Sequence, residues 1–159
     1  MKFRIMGVVN VTPDSFSDGG QFLDPQRAAD QAHELHRQGA DIIDLGAESS
    51  RPGAARLSQS EEWDRLAPVL DLLQGAPFTI SVDTRHEKTM LLAAEHGARM
   101  INNIEGLCGE ETLRSLAQTD DLEYLAMHMS GEPGTMQNDP MGAKRAVESV
   151  TEFFSQAHS

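Results

Sequence analysis

The hydrophobic positions of this chain fall into short blocks that alternate between two periods. Compact, mostly apolar runs cover 6–9, 41–46, 78–83, 99–104 and 122–128. Each is of strand length and is bounded by turn residues or by polar side chains. Between them, apolar residues recur at helical spacing. Ala29, Ala32 and Leu35 follow Asp24-Pro25, an N-cap with proline at the first helical position, and Gly39 suits the end of that helix. Trp63, Leu66, Leu70 and Leu73 follow Ser58-x-x-Glu61, a capping-box pattern, and Pro68 is expected to kink this helix near its first turns. Thr84-x-x-Glu87 reads as a second capping box, opening a helix through Leu91, Leu92 and Ala94 to Gly97. A short helix is expected around Leu113 and Leu116, and a last amphipathic one carries Val147, Val150, Phe153 and Phe154.

The pattern predicts five strand–helix units in strict alternation, without a linker, hence an α/β fold with a parallel sheet and right-handed crossovers. Residues 1–159 read as a single domain. Two architectures fit. One is a doubly wound sheet of the flavodoxin type. The other is a partial (β/α)8 TIM barrel, since five-eighths of a barrel of about 250 residues is roughly 156.

The polar residues add a common address. Asn10, Glu48, Asp83, Asn102 and His128 each lie at, or just beyond, the carboxyl end of a predicted strand. In α/β folds those ends converge on the face that carries the chemistry. The first strand runs into Asn10-Val-Thr-Pro-Asp-Ser-Phe-Ser-Asp-Gly-Gly20, longer and more polar than a strand–helix joint requires. Asp83 and Asn102 together offer acceptors and donors suited to the edge of a flat heterocycle. Arg51, beside Pro52 in a serine-rich loop, suits a phosphate group. Asn10 can ligate a hard cation such as Mg²⁺ through its carbonyl oxygen. His128 sits in an apolar strand and reads equally well as packing or as function.

Charge and composition narrow the partners. Net charge is −12, with 39% hydrophobic and 24% charged residues, which argues for a globular chain and against a nucleic-acid or anionic-membrane surface. No apolar run approaches a membrane span. The amino terminus lacks the apolar core of a signal peptide. One cysteine, Cys108, can form no internal disulfide, so a reducing cytoplasm is the expected compartment.

The strand-end segments 10–20, 46–53, 81–84, 101–104 and 127–129 resemble, in order and approximate spacing, the successive motifs of dihydropteroate synthase. The resemblance covers essentially the whole chain and favours the barrel. It implies a transferase that condenses 6-hydroxymethyl-7,8-dihydropterin pyrophosphate with para-aminobenzoate, releasing pyrophosphate, in folate synthesis. By position, Asp83 and Asn102 are implied to hold the pterin ring, and Asn10 to meet Mg²⁺ and the pyrophosphate. Phe16 and Asp18 would close over the reacting carbon. Ser50, Arg51 and Pro52 would meet the second substrate and the pyrophosphate. The chemistry implied is dissociative, with Asp18 beside a cationic pterin methylene and Arg51 on the leaving group.

Asn103 stands where the family usually has aspartate, Ala47 where it has glycine, and Ser50 where it has threonine. The family's sixth to eighth strands have no counterpart, so the chain is expected to be the amino-terminal part of a longer enzyme. Such a piece would have little activity alone and would tend to self-associate or to pair with a complementing carboxyl-terminal fragment. The alternative functions are a non-catalytic pterin-binding module and a pterin-dependent methyltransferase domain.

Overall fold

The computed structural model describes residues 3–12, 24–48, 56–128 and 143–157. Five strands and five helices alternate: β1 (Met6–Asn10), α1 (Pro25–Arg37), β2 (Ile42–Gly46), α2 (Gln59–Leu72), β3 (Thr79–Asp83), α3 (Glu87–Glu95), β4 (Met100–Asn103), α4 (Glu110–Leu116), β5 (Glu123–Ala126) and α5 (Ala143–Ala157). The strands form one sheet in the order β1-β2-β3-β4-β5, and every neighbouring pair is parallel. A flavodoxin-type sheet places its second strand outside its first. Sequential order instead suits a barrel wall built one βα unit at a time.

Alternation along each strand separates the two faces. Val9, Ile43, Leu45, Ile80, Val82 and Ile101 are buried on the outer face, against Ala28, Ala32, Leu66, Val69, Leu70, Leu73, Met90 and Ala93 from the helices. The inner face carries Val8, Asn10, Asp44, Ser81, Asp83, Asn102, Glu123 and Leu125 at the intervening positions. Val8 and Leu125 there are about half exposed, at 54% and 46%. Neighbouring helices pack side by side, α1 on α2, α2 on α3 and α3 on α4. At Gly7, α1 and the turn after it come so close to β1 that a Cβ would lie 3.1 Å from Leu35 Cδ1 and 3.3 Å from Ala40 Cβ. That approach is why a glycine sits inside a strand.

Curvature can be read from contacts that cross the inner face. Through the ladder, Asn102 lies level with Asp83 and Gly46, yet its side chain bonds Asp44, two residues earlier on β2. Glu123 lies level with Met100, Ser81, Asp44 and Val8, yet it pairs with Arg4, four residues before Val8. Two residues over two strand steps and four over four give one residue per strand. Offsets of this kind, crossing the concave face, are what a curved wall of tilted strands in a barrel produces.

Local signals behave as expected in α1 and α2. Asp24 caps α1 by accepting from Gln26 N, Pro25 opens the helix, and Gly39 follows its end with φ 109°. Ser58 and Glu61 form the reciprocal capping box of α2. Two expectations fail. Pro68 lies in the third turn of α2, not its first turns, and the helix runs on to Leu72. Thr84 and Glu87 do not form a capping box: α3 starts after His86 with no side-chain cap. Thr84 Oγ1 instead donates to Glu62 Oε2 at 2.7 Å. Glu87 accepts from Gly109 N at 2.7 Å and Thr112 Oγ1 at 2.5 Å, capping α4 from the neighbouring helix. Gly109 offers no capping side chain of its own, and a Cβ there would sit 2.9 Å from Glu87 Oε1. These bonds hold the Glu87 carboxyl below the ordinary glutamate range.

Candidate functional site

The sequence places four acceptor or donor side chains near the carboxyl ends of β1 to β4, and the barrel tilt brings three of them onto one wall. Asp44, at the middle of β2, is 4% exposed. Its Oδ1 accepts from Ser81 Oγ at 2.6 Å and its Oδ2 from Asn102 Nδ2 at 3.0 Å. Because the carboxylate only accepts, Asn102 must turn its NH₂ toward Asp44, which leaves Oδ1 as the acceptor offered to the interior. Asp83 ends β3, beside Asn102 on β4 and Gly46 on β2. A Cβ on Gly46 would lie 3.7 Å from Asp83 Oδ2, so glycine keeps the space above that carboxylate open.

Asp83 is the electrostatically unusual member. Burial, followed by repulsion from Asp44, Glu62 and Glu48, pushes its carboxyl up to about 7. Two neighbouring carboxyl groups thus differ in environment. Asp44 is bonded by two donors on one wall, while Asp83 sits among acids and holds its proton until near neutrality. A carboxyl poised in this way can accept from a ligand's N–H groups once ionised, and can donate while protonated.

Asn10 ends β1 on the inner face, exposed, and level with Gly46. Glu48 belongs to the rim. Arg85 Nη2 donates to Glu48 Oε2 at 3.4 Å and to Leu57 O at 3.3 Å, while Arg65 Nη1 donates to Ala47 O at 3.2 Å. Two arginines therefore hold the residues on either side of 49–55. Glu105 joins the same rim, 3.8 Å from Arg56 and 4.0 Å from Arg85.

His128 does not join the inner face. Its parity along β5 turns it outward, where Nε2 bonds Ser149 Oγ at 2.9 Å and the ring packs edge-on against Phe153, so its role is to seat α5. Asn103 also points outward and is 2% exposed. Its Nδ2 donates to Tyr124 OH at 2.9 Å, its Oδ1 accepts from Glu105 N at 2.9 Å, and Tyr124 OH donates to Gly106 O at 3.1 Å. An aspartate could supply the acceptor but not the donor, so the amide suits this turn. Burial pushes the Tyr124 hydroxyl up to about 12. Cys108, nearby, has its thiol raised by burial and forms no disulfide.

Of the expected site residues, Asn10, Asp83 and Asn102 are brought to the same face. Phe16, Asp18, Ser50, Arg51 and Pro52 lie outside the described residues. Asp44 and Ser81 are additions that strand-end position alone does not find, although a carboxylate in the middle of the apolar run Ile42-Ile-Asp-Leu45 is itself a signal, because a buried acid needs donors.

A wall of five parallel strands in sequential order, with a carboxylate–amide cluster on its inner face, defines an α/β protein of the TIM-barrel type. Residues 6–159 match the family described as "Pterin binding enzyme", and the chain belongs to that family. Dihydropteroate synthase of Neisseria meningitidis is 45% identical over 141 residues, 87% of this chain and 50% of that protein. The crystal structure of Yersinia pestis dihydropteroate synthase in a sulfonamide complex superposes with TM-score 0.81 at 40% identity, over 96% of this chain and 55% of that one. The Anaplasma phagocytophilum dihydropteroate synthase structure, with bound 6-hydroxymethylpterin-monophosphate, superposes with TM-score 0.80 at 36% identity, over 96% of this chain and 59% of that one. The chain spans half or less of the length of the curated relatives it matches. Among the described residues, no helix is long and apolar enough to cross a membrane.

Proposed function

We propose that this chain supplies the pterin-holding part of a dihydropteroate synthase, in a reaction joining 6-hydroxymethyl-7,8-dihydropterin pyrophosphate to para-aminobenzoate with release of pyrophosphate. The observation that carries the reading is the juxtaposition of Asp83 with the Asp44–Asn102 pair on the inner face. A pterin presents an exocyclic amine and a ring N–H beside ring-nitrogen and carbonyl acceptors. Asp83 would accept from the donors, and Asn102 Oδ1 would take a further N–H. Asp44 would keep the Asn102 amide from rotating, so its acceptor is in place before the ring arrives. The semi-enclosed wall would exclude water from one face of the ring.

Asn10 is the Mg²⁺ ligand in this reading. The described residues contain no cluster of three His, Cys, Asp or Glu side chains able to hold a metal. A single exposed carbonyl oxygen at a strand end nevertheless fits a cation that keeps most of its water and takes its remaining ligands from a diphosphate. Bound there, Mg²⁺ would neutralise charge on the leaving pyrophosphate. Phe16, Asp18, Ser50, Arg51 and Pro52 keep the roles expected of them: Asp18 beside the pterin methylene, Arg51 on the pyrophosphate, Ser50 and Pro52 toward para-aminobenzoate. Small-molecule substrates, a reducing cytoplasm consistent with the free thiol of Cys108, and pairing with a complementing fragment complete the reading.

The second reading, a pterin-binding module without catalysis, is favoured by the make-up of the described wall, where Asp83, Asn102 and Asp44 suit the ring and Asn10 alone is offered to the pyrophosphate. One experiment separates them. The chain is assayed for dihydropteroate formation alone and mixed with a separately expressed fragment covering the remaining three strands of a relative. Product in the mixture, lost with Arg51→Ala, supports the transferase. Pterin binding with no product in either arm supports the module.

A further inference from the structure

We propose that the Arg4–Glu123 ion pair is a strut across the barrel interior that sets the width of the ring-binding cavity, making both positioning residues for the pterin. Arg4 lies two residues before β1 and Glu123 opens β5, the two outer strands of the sheet, with three strands between them. In a flat sheet those strands would lie roughly 19 Å apart with side chains parallel, and the two could not meet. Here Arg4 Nη1 donates to Glu123 Oε1 at 2.7 Å and Nη2 to Oε2 at 2.5 Å, a two-pronged contact. Such fork-to-fork geometry fixes orientation as well as distance.

The pair stands at the amino-terminal end of the interior, below the site. Along β5, Leu125 lies above Glu123 on the same face and level with Asn102 through the ladder. Along β1, Met6, Val8 and Asn10 rise above Arg4. Splaying β5 away from β1 would carry Leu125 and β4 with it, and so move Asn102 relative to Asp44. The charges facing the pair from each packed element are few. Asp41, before β2, accepts from Ile5 N at 2.9 Å and reinforces the Arg4 charge; the inner-face neighbours on β3 and β4, Thr79 and Met100, are neutral. Glu123 in turn is held below the ordinary glutamate range by Arg4. Both side chains are about half exposed, at 44% and 48%, so on contact area alone the pair resembles a surface bridge of small worth. What distinguishes it is that it joins two residues 119 positions apart in sequence, from the two outer edges of a concave sheet.

The inference rests on the pterin reading, and its test separates the two. Arg4→Gln, Glu123→Gln, Arg4→Lys and the exchanged Arg4→Glu/Glu123→Arg chain are compared with the parent. Arg114→Gln, which breaks the exposed Arg114–Glu110 pair within α4, serves as control. Each is titrated with 6-hydroxymethylpterin at pH 8, at a temperature where near-ultraviolet circular dichroism shows it folded, and unfolded in urea. The strut predicts three- to tenfold weaker binding in both Gln variants, an intermediate loss in Arg4→Lys, recovery to within twofold in the exchanged chain, and no change in the control. Parent-like binding in the Gln variants, or no recovery on exchange, overturns it. If the parent binds no pterin, the pterin reading fails, and the urea data decide the strut. Recovery of the unfolding midpoint on exchange supports it, and additive losses overturn it.

Discussion

Asn102 and Asn103 are adjacent amides on one strand, and they do opposite work. Asn102 faces the barrel interior and donates to Asp44, with its Oδ1 turned toward that interior. Asn103 faces the helices, bonds Tyr124 and Glu105 N, and has nothing left to offer. The same contrast runs through the whole sheet. On the outer face most buried polar groups are paired, Thr89 Oγ1 being an exception, and apolar contact does the stabilising. On the inner face Asp44, Asp83 and Asn102 gather acceptors, an arrangement that costs stability and that the proposed pterin ring would satisfy. Residue type is therefore a weaker guide to role than parity along the strand.

The comparison can be broken most severely on the outer face. Leu70→Ala removes a fully buried side chain between α2 and the sheet and should lower stability by about 2–5 kcal/mol, read from urea unfolding. Asn103→Asp loses the donor to Tyr124 and should cost about 1–3 kcal/mol, with pterin affinity unchanged among molecules that remain folded. A matched loss of affinity there would mean that Asn103 belongs to the site. Glu87→Gln weakens the borrowed cap of α4 and should lower the urea midpoint by less than either of these changes.

Inner-face substitutions should move in the other direction. Asp83 titrates near 7 in the folded chain and near 3.8 unfolded, so between those values the native state binds more protons and stability falls as pH rises. Asp83→Asn should remove that slope, making the variant more stable than the parent at pH 8 and little changed at pH 4. Differential scanning calorimetry across pH 4–8 reads this directly. A variant whose stability rises no more than the parent's between pH 4 and pH 8 would contradict the environment assigned to Asp83.

Much of this arrangement is legible in the amino-acid sequence. The apolar blocks mark the five strands, and Asp24-Pro25 and Ser58-x-x-Glu61 open α1 and α2 because those caps close on their own backbone. Thr84-x-x-Glu87 has the same local form but fails, because tertiary partners win both side chains: buried Glu62 takes the Thr84 hydroxyl, and the uncapped end of α4 takes Glu87. Asp83 and Asn102 stand out by residue type and strand-end position. Asp44 does not, since its place beside Asn102 depends on the two-residue offset of a tilted barrel, a relation between strands that no single segment contains. His128 shows the converse, a strand-end polar residue whose parity sends it to α5.

The central claim is that Asp83, Asn102 and Asp44 form a ring-holding wall whose acceptor strength is set by the Asp83 proton. Isothermal titration of 6-hydroxymethylpterin into the parent, Asp83→Asn and Asn102→Ala at pH 5.5 to 8.5 tests it most directly. Parent affinity should rise with pH about a midpoint near 7, Asp83→Asn should bind weakly with no such midpoint, and Asn102→Ala should lose about tenfold or more at every pH. Pterin binding that is equally tight in all three chains, or that does not change with pH, would contradict it.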